Sequence, residues 1–275
     1  GEGSFSNIGT GDVDPGNLSG VTHSYASGGV KRLTITGTIN GWNFQQGVAG
    51  SKERLKLQEV VSWGSLRLGT PTVQGEYFKG TTNMVVSATD ALDLTGTTSL
   101  ASAFQDAPAF NGAIGNWDVA GITDMNSMFA GATSFNQPLL TWTPSSVTSM
   151  ANMFAGATAF NQSLSGWGDI NDVTTMESMF DGASAFNGSI AWTNLDALST
   201  TAGMFNNAAA FNQALSWPST QPALTTTTGM FSGTASFNGN VSTLDMSDVT
   251  DARDMFKNSA AFNQPVSGWT LGSAV

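Results

Sequence analysis

A single histidine, no cysteine and twenty carboxylates bound the chemistry open to this 275-residue chain. Without Cys there are no disulfides, no thiolate nucleophile and no Cys/His zinc site. His23 has no Ser or Cys nucleophile motif beside it and reads as a structural residue at a strand end. Asp118, Asp124, Asp169 and Asp172 lie near Trp residues and offer the oxygen ligands that calcium takes. They do not recur from repeat to repeat, so a solvated acidic face is the expected reading and calcium binding the alternative. Residues 81–250 contain no Lys, Arg or His, leaving few groups to stabilise a developing oxyanion. Glycine is abundant, yet no GxGxxG or P-loop spacing follows a strand. The expectation is a chain with no catalytic residue and no cofactor.

Charge narrows the partners. The net charge is −11; seven of nine Lys and Arg precede residue 81, whereas fourteen of twenty acids follow it. A surface this acidic repels phosphate backbones, so nucleic acid is not an expected partner. No apolar run approaches the length of a membrane span. The opening GEGSFSNIGTGD lacks the basic and apolar regions of a secretory signal, which is expected if an exported chain has been processed.

What the chain has in place of reactive groups is repetition. Phe104, Phe129, Phe154, Phe180, Phe205, Phe231 and Phe256 recur every 25 or 26 residues. Six residues after each comes a second aromatic: Phe110, Phe135, Phe160, Phe186, Phe211, Phe237 and Phe262. An Asn always follows it: Asn111, Asn136, Asn161, Asn187, Asn212, Asn238 and Asn263. Phe78 with Met84 marks a worn copy at the start. A constant period of this length predicts a solenoid, each coil burying its apolar face on its neighbours.

Within a coil, Met125-x-x-Met128-Phe129 has the i, i+3, i+4 spacing of a helical face. Thr98, Thr123, Thr148, Thr174, Ser199, Thr225 and Thr250 stand where N-caps belong. Gly80, Asp106, Gly131, Gly156, Gly182, Asn207, Gly233 and Asn258 stand where a left-handed C-terminal residue belongs. A helix of about two turns is therefore expected per coil. Beyond it, Phe160 and Leu164 share parity, which predicts a short parallel strand. The Asn column is expected to form an internal ladder bonding backbone at a bend. Trp117, Trp142, Trp167, Trp192, Trp217 and Trp269 read as packed corner aromatics, with Leu244 replacing one. The fold class expected is an α/β repeat solenoid: one short helix and one short parallel strand per coil, behind a small N-terminal β region.

ITDMNSMFAGATSFNQPLLTW, Ile122 to Trp142, resembles the repeat of about 26 residues of BspA-like bacterial surface proteins and mycoplasmal surface lipoproteins. The likeness covers about residues 74–275. It implies a leucine-rich-repeat-like fold, surface exposure and adhesion, and supplies no catalytic set. Val21 to Gly37, VTHSYASGGVKRLTITG, resembles the last strands of PKD-like β-sandwiches. KLQEVVSWGSLRLG resembles the lead-in to the repeats in the same surface family. The organisation expected is a β-rich segment over 1–73 and a solenoid of about eight repeats over 74–275.

Two readings follow. The first is a non-enzymatic extracellular or cell-surface protein binding a protein or glycan along the solenoid. The second is a structural subunit of a larger assembly, such as a phage fibre, virion component or extracellular filament. The chain stops at GWTLGSAV without a polar terminal repeat. Both ends therefore read as continued by more polypeptide or covered by neighbouring subunits.

Overall fold

Leu100 to Phe110 shows how the sequence builds one copy. In the computed structural model the Ala103 amide bonds the Leu100 carbonyl (3.0 Å), that of Ala107 bonds Phe104 (3.2 Å) and that of Phe110 bonds Ala107 (3.0 Å). The third residues of the first two turns, Ser102 and Asp106, have φ of 54° and 55°. Positive φ at that place marks a type II turn. The amides of Leu100, Ser102, Phe104 and Asp106 instead leave the copy. They reach the carbonyls of Asp124, Asn126, Met128 and Ala130 in the next one, at 2.8–2.9 Å. Some amides close turns and the ones between them tie copies together.

The pattern recurs along the chain, and the structure describes residues 3–4, 33–34, 39–40, 53–70, 74–218 and 220–271. Asn152, Phe154 and Gly156 donate to Glu177, Met179 and Asp181; Gly229, Phe231 and Gly233 donate to Arg253, Met255 and Lys257. This differs from the expected helix. Among the described residues there is no α-helix, only two 3-10 segments, Glu53–Lys56 and Ser165–Trp167. The reason is a second column of left-handed residues. Ser102, Ser127, Asn152, Ser178, Gly203, Gly229 and Asp254 have φ between 52° and 61°, four residues before the Gly, Asn and Asp column. Two left-handed residues so close together cannot belong to one right-handed helix. They turn the intervening amides outward to the next copy. The Gly, Asn and Asp column does have positive φ, between 55° and 71°, but closes turns rather than helices.

The strand also lies elsewhere. Parallel bridges join Ser99 to Asp124, Asp124 to Ser149, Ser149 to Thr175, and on through Thr200 and Thr226 to Asp251. Each is a single residue, just before the turns rather than after the second Phe. Near Leu164 the inter-copy bonds between backbone groups thin out to one, from the Leu164 amide to Ser189 at 2.9 Å.

The core is columnar. Phe154 stacks 4.0 Å from Phe160 of its own copy, 5.4 Å from Phe129 and 5.5 Å from Phe180. The other buried pairs repeat this geometry, from Phe104 with Phe110 to Phe231 with Phe237. Phe256 and Phe262, in the last described copy, are half-buried. Trp142, Trp167, Trp192 and Trp217 form a third column, 6.0–6.4 Å apart. Each indole N–H donates to the carbonyl of Ile114, Leu139, Leu164 or Ile190 in the previous copy, at 2.9–3.2 Å. A buried indole needs such an acceptor, and stacking supplies it to these four; the buried Trp63 and Trp117 Nε1 atoms at the start of the stack have none among the described residues.

Where the phrase departs from itself, a hydroxyl fills the gap. Leu244 replaces Trp, and the neighbouring Thr243 donates to the Leu215 carbonyl at 2.6 Å. Thr97 stands where later copies have Ile122, Val147, Val173, Leu198, Leu224 and Val249 but is buried, and its hydroxyl accepts the Gly69 amide at 3.0 Å. Thr234 replaces a buried Ala and donates to the Phe205 carbonyl at 2.6 Å. The hydroxyls of Thr97, Thr234 and Thr243 are bonded in this way, whereas Thr227, buried where earlier copies have Met125, Met150 and Met176, has an Oγ1 with no partner among the described residues.

The lead-in joins the stack before residue 74. Glu59–Val60 pairs in parallel with Val85–Val86, and Leu66–Arg67 with Ile39–Asn40. Trp63 packs edge-on against Trp117 at 5.7 Å, standing in for the Trp that the first copy lacks. Gly3–Ser4 pairs with Leu33–Thr34. His23 and the rest of the PKD-like segment lie outside the described residues.

Candidate functional site

The outer surface carries two ladders that belong to no single copy. The first is the Asn column. The Asn136 amide donates to Asn111 Oδ1 at 2.9 Å, Asn161 to Asn136 at 2.9 Å and Asn187 to Asn161 at 2.8 Å. Asn212, Asn238 and Asn263 continue it at 2.7–2.9 Å. The ladder is external rather than internal: all of these Asn side chains are exposed except the half-buried Asn136. Gln137, Gln162, Gln213 and Gln264 add a second donor to the Oδ1 of the Asn one copy back, at 2.9–3.1 Å. Gly188 interrupts that Gln column for a steric reason. A Cβ there would run into the Gln162 carbonyl.

The second ladder is the Thr column. Thr123, Thr148 and Thr174 each donate a hydroxyl to the backbone carbonyl of the preceding column member, at 3.0–3.1 Å. Ser199, Thr225 and Thr250 do the same at 2.8–3.4 Å. Their spacing suggests helix caps; among the described residues they meet no α-helix and satisfy the neighbouring copy instead. Sequence spacing located both columns but not their partners. The one sign that a partner lies in the next copy is the polar column's persistence at the full repeat period.

The four carboxylates considered for calcium do not converge. Asp118, Asp124 and Asp169 each accept the amide two residues on, from Ala120, Asn126 and Asn171, at 2.9–3.2 Å. Asp172 is exposed. Among the described residues no group of three or more His, Cys, Asp or Glu is placed to hold a metal ion. Other titrating groups move away from neutrality. Bonding by Thr95 and Arg67 draws Asp93 down to about 2, and burial pushes the Tyr77 hydroxyl up to about 12. The Asp251 carboxyl is held well below the usual range by its bonds to Arg253.

Two shallow depressions lie side by side at the early copies. One, of about 450 Å³, is bordered by Gly115, Asn116, Trp117, Asp118 and Thr141. The other, of about 350 Å³, is bordered by Ala88, Thr89, Ala113, Gly115, Asn116 and Pro138. Neither gathers nucleophile, base and oxyanion donors at one point.

Stacked copies, buried aromatic columns and surface ladders define a repeat protein. The family model DUF285, described as "Mycoplasma protein of unknown function", matches residues 74–192, 98–217 and 190–275. The chain belongs to this family. Comparisons with curated proteins and with solved structures each find no match. Among the described residues no helix is long and apolar enough to cross a membrane.

Proposed function

We propose that residues 74–275 form a solenoid of turns and single-residue parallel bridges. In this reading the protein is a non-enzymatic module, exposed outside the cell or on its surface, that adheres through a protein or glycan ligand lying along its flank. The observation that carries it is the division of labour within each copy. The recurring Phe, Trp, Met, Ile, Leu and Val positions from Phe104 to Phe237 are buried, Leu140 apart, while the polar positions are bonded into columns that run from copy to copy. A surface ordered in this way offers many equivalent contacts instead of one cleft, as extended solenoid surfaces do. The likeness of Ile122 to Trp142 to BspA-like surface repeats points the same way.

The test is a binding screen of the whole chain against immobilised glycans and extracellular-matrix proteins, read by surface plasmon resonance. Saturable binding to at least one ligand class is expected. A chain that binds nothing in the screen, and assembles into regular filaments under the electron microscope, would replace this reading with that of a structural subunit.

A further inference from the structure

The two ladders differ in what they leave over. On the Thr side, each ladder hydroxyl spends its hydrogen on a backbone carbonyl. On the Asn side, the rung uses only Oδ1, which accepts the next copy's amide. The Nδ2 groups of Asn161, Asn187 and Asn212 have no acceptor among the described residues, and these side chains are exposed. The Gln side chains repeat this asymmetry in reverse. Gln162 and Gln213 donate through Nε2 to the ladder, leaving Oε1 without a donor among the described residues. The strip therefore presents an Asn amide donor in each copy, with a Gln carbonyl acceptor beside the ladder in the copies of Gln137, Gln162, Gln213 and Gln264.

Its charge is equally uneven. The net charge is −11, yet the seven Asn triplets from Asn111-Gly112-Ala113 to Asn263-Gln264-Pro265 contain no charged residue. Nor does the neighbouring exposed edge that runs through Thr133, Thr158, Ser184, Ala209 and Ala235. Six of the acids, Asp118, Asp169, Asp172, Asp196, Asp245 and Asp248, fall in the loops that follow Ile114, Leu164, Ile190 and Val241, whereas Asp106 and Asp181 stand in the turns before the strip's edge. A polyanion meets a repelling molecule here, and a polycation is drawn to the acidic loops instead. What matches a neutral strip of alternating donors and acceptors is a chain of hydroxyls, since each hydroxyl both donates and accepts.

We infer that the Asn/Gln strip is a docking surface for an uncharged polysaccharide lying along the stack. This rests on the adhesion reading and names its face and its ligand class. The rungs hold the amides in one orientation, so binding orders few side chains that are not already ordered. A flexible polymer can then make the same weak contact on copy after copy, and the contacts sum by avidity.

The experiment is affinity electrophoresis of the whole chain through native gels containing a soluble β-1,4-glucan, a β-1,3-glucan or dextran. Retardation by at least one of the three is expected. The triple variant Asn161→Asp, Asn187→Asp, Asn212→Asp keeps an oxygen for every rung but loses the Nδ2 donors and adds charge. It should be retarded at least tenfold less. Ala209→Arg with Ala235→Arg obstructs the strip without touching the ladder and should weaken retardation similarly. Thr148→Asp, Thr174→Asp, Ser199→Asp adds the same charge to the other ladder and should leave retardation intact. Thermal melting checks that each variant is folded. Absence of retardation in all three gels overturns the inference, as does equal retardation of the Asn variant and the native chain. Loss in the Thr variant comparable to that in the Asn variant does so too. Binding to a matrix protein with no retardation in any gel defeats this inference and leaves the adhesion reading standing; silence towards every ligand defeats both.

Discussion

Gly156 has φ of +68°, and a Cβ placed on it would meet nothing closer than the Gly131 amide nitrogen at 3.7 Å. There is room for a side chain; the backbone conformation is what resists one. Gly156→Val should therefore cost about 1–2 kcal/mol or more, from the left-handed geometry alone. Gly156→Asn should cost clearly less, because Asn207 and Asn258 hold the same place with φ of 55° and 61°. Urea unfolding of the two variants checks the order. Trp167 makes a second case. Its indole N–H bonds the buried Leu139 carbonyl at 2.9 Å, so Trp167→Phe keeps an aromatic but orphans an acceptor. A loss of about 1–3 kcal/mol is expected. Phe154→Ala, by contrast, removes a ring stacked on three others and should cost about 3–5 kcal/mol.

At the scale of the element, the copy was legible in outline and misread in conformation. The buried set, the left-handed glycines and the period all follow from spacing, because burial and positive φ leave marks in residue type. Met125-x-x-Met128-Phe129 reads as a helical face because turns of four residues also place residues three and four apart on one side. The telling residues were Ser102, Ser127 and Ser178, whose φ of 52–54° is a conformation that Ser does not advertise. Likewise, Asn161 announces a hydrogen bond but not whether its partner lies within the copy or in the next. The lead-in adds a test of its own. Arg67 Nε lies 2.7 Å from Asp93, joining the lead-in to the first copy. Because the folded carboxyl sits at about 2, below its ordinary value of about 4, its stabilising contribution is complete above the ordinary value. That contribution is lost as pH falls towards 2. Acid titration followed by NMR should show the Asp93 transition low in the native chain and shifted upward in Arg67→Ala.

At the scale of the whole molecule, each copy touches mainly its two neighbours, so stability should be close to a sum of copies and interfaces. Removing residues 148–172 takes out one period and brings Val147 to the place before Val173, keeping every column in register. That shortened chain should fold with a modestly lower Tm, whereas removing residues 148–160 throws the Phe and Asn columns out of phase and should abolish cooperative melting. All of this depends on one claim, that amides such as that of Phe154 are bonded to the next copy and not within a helix. The direct measurement is the through-hydrogen-bond scalar coupling of the Phe154 amide nitrogen in the deuterated chain. A coupling to the carbonyl carbon of Met179, its partner at 2.8 Å, is the predicted result. A coupling to the carbonyl carbon of Met150, four residues earlier as in an α-helix, would contradict the account.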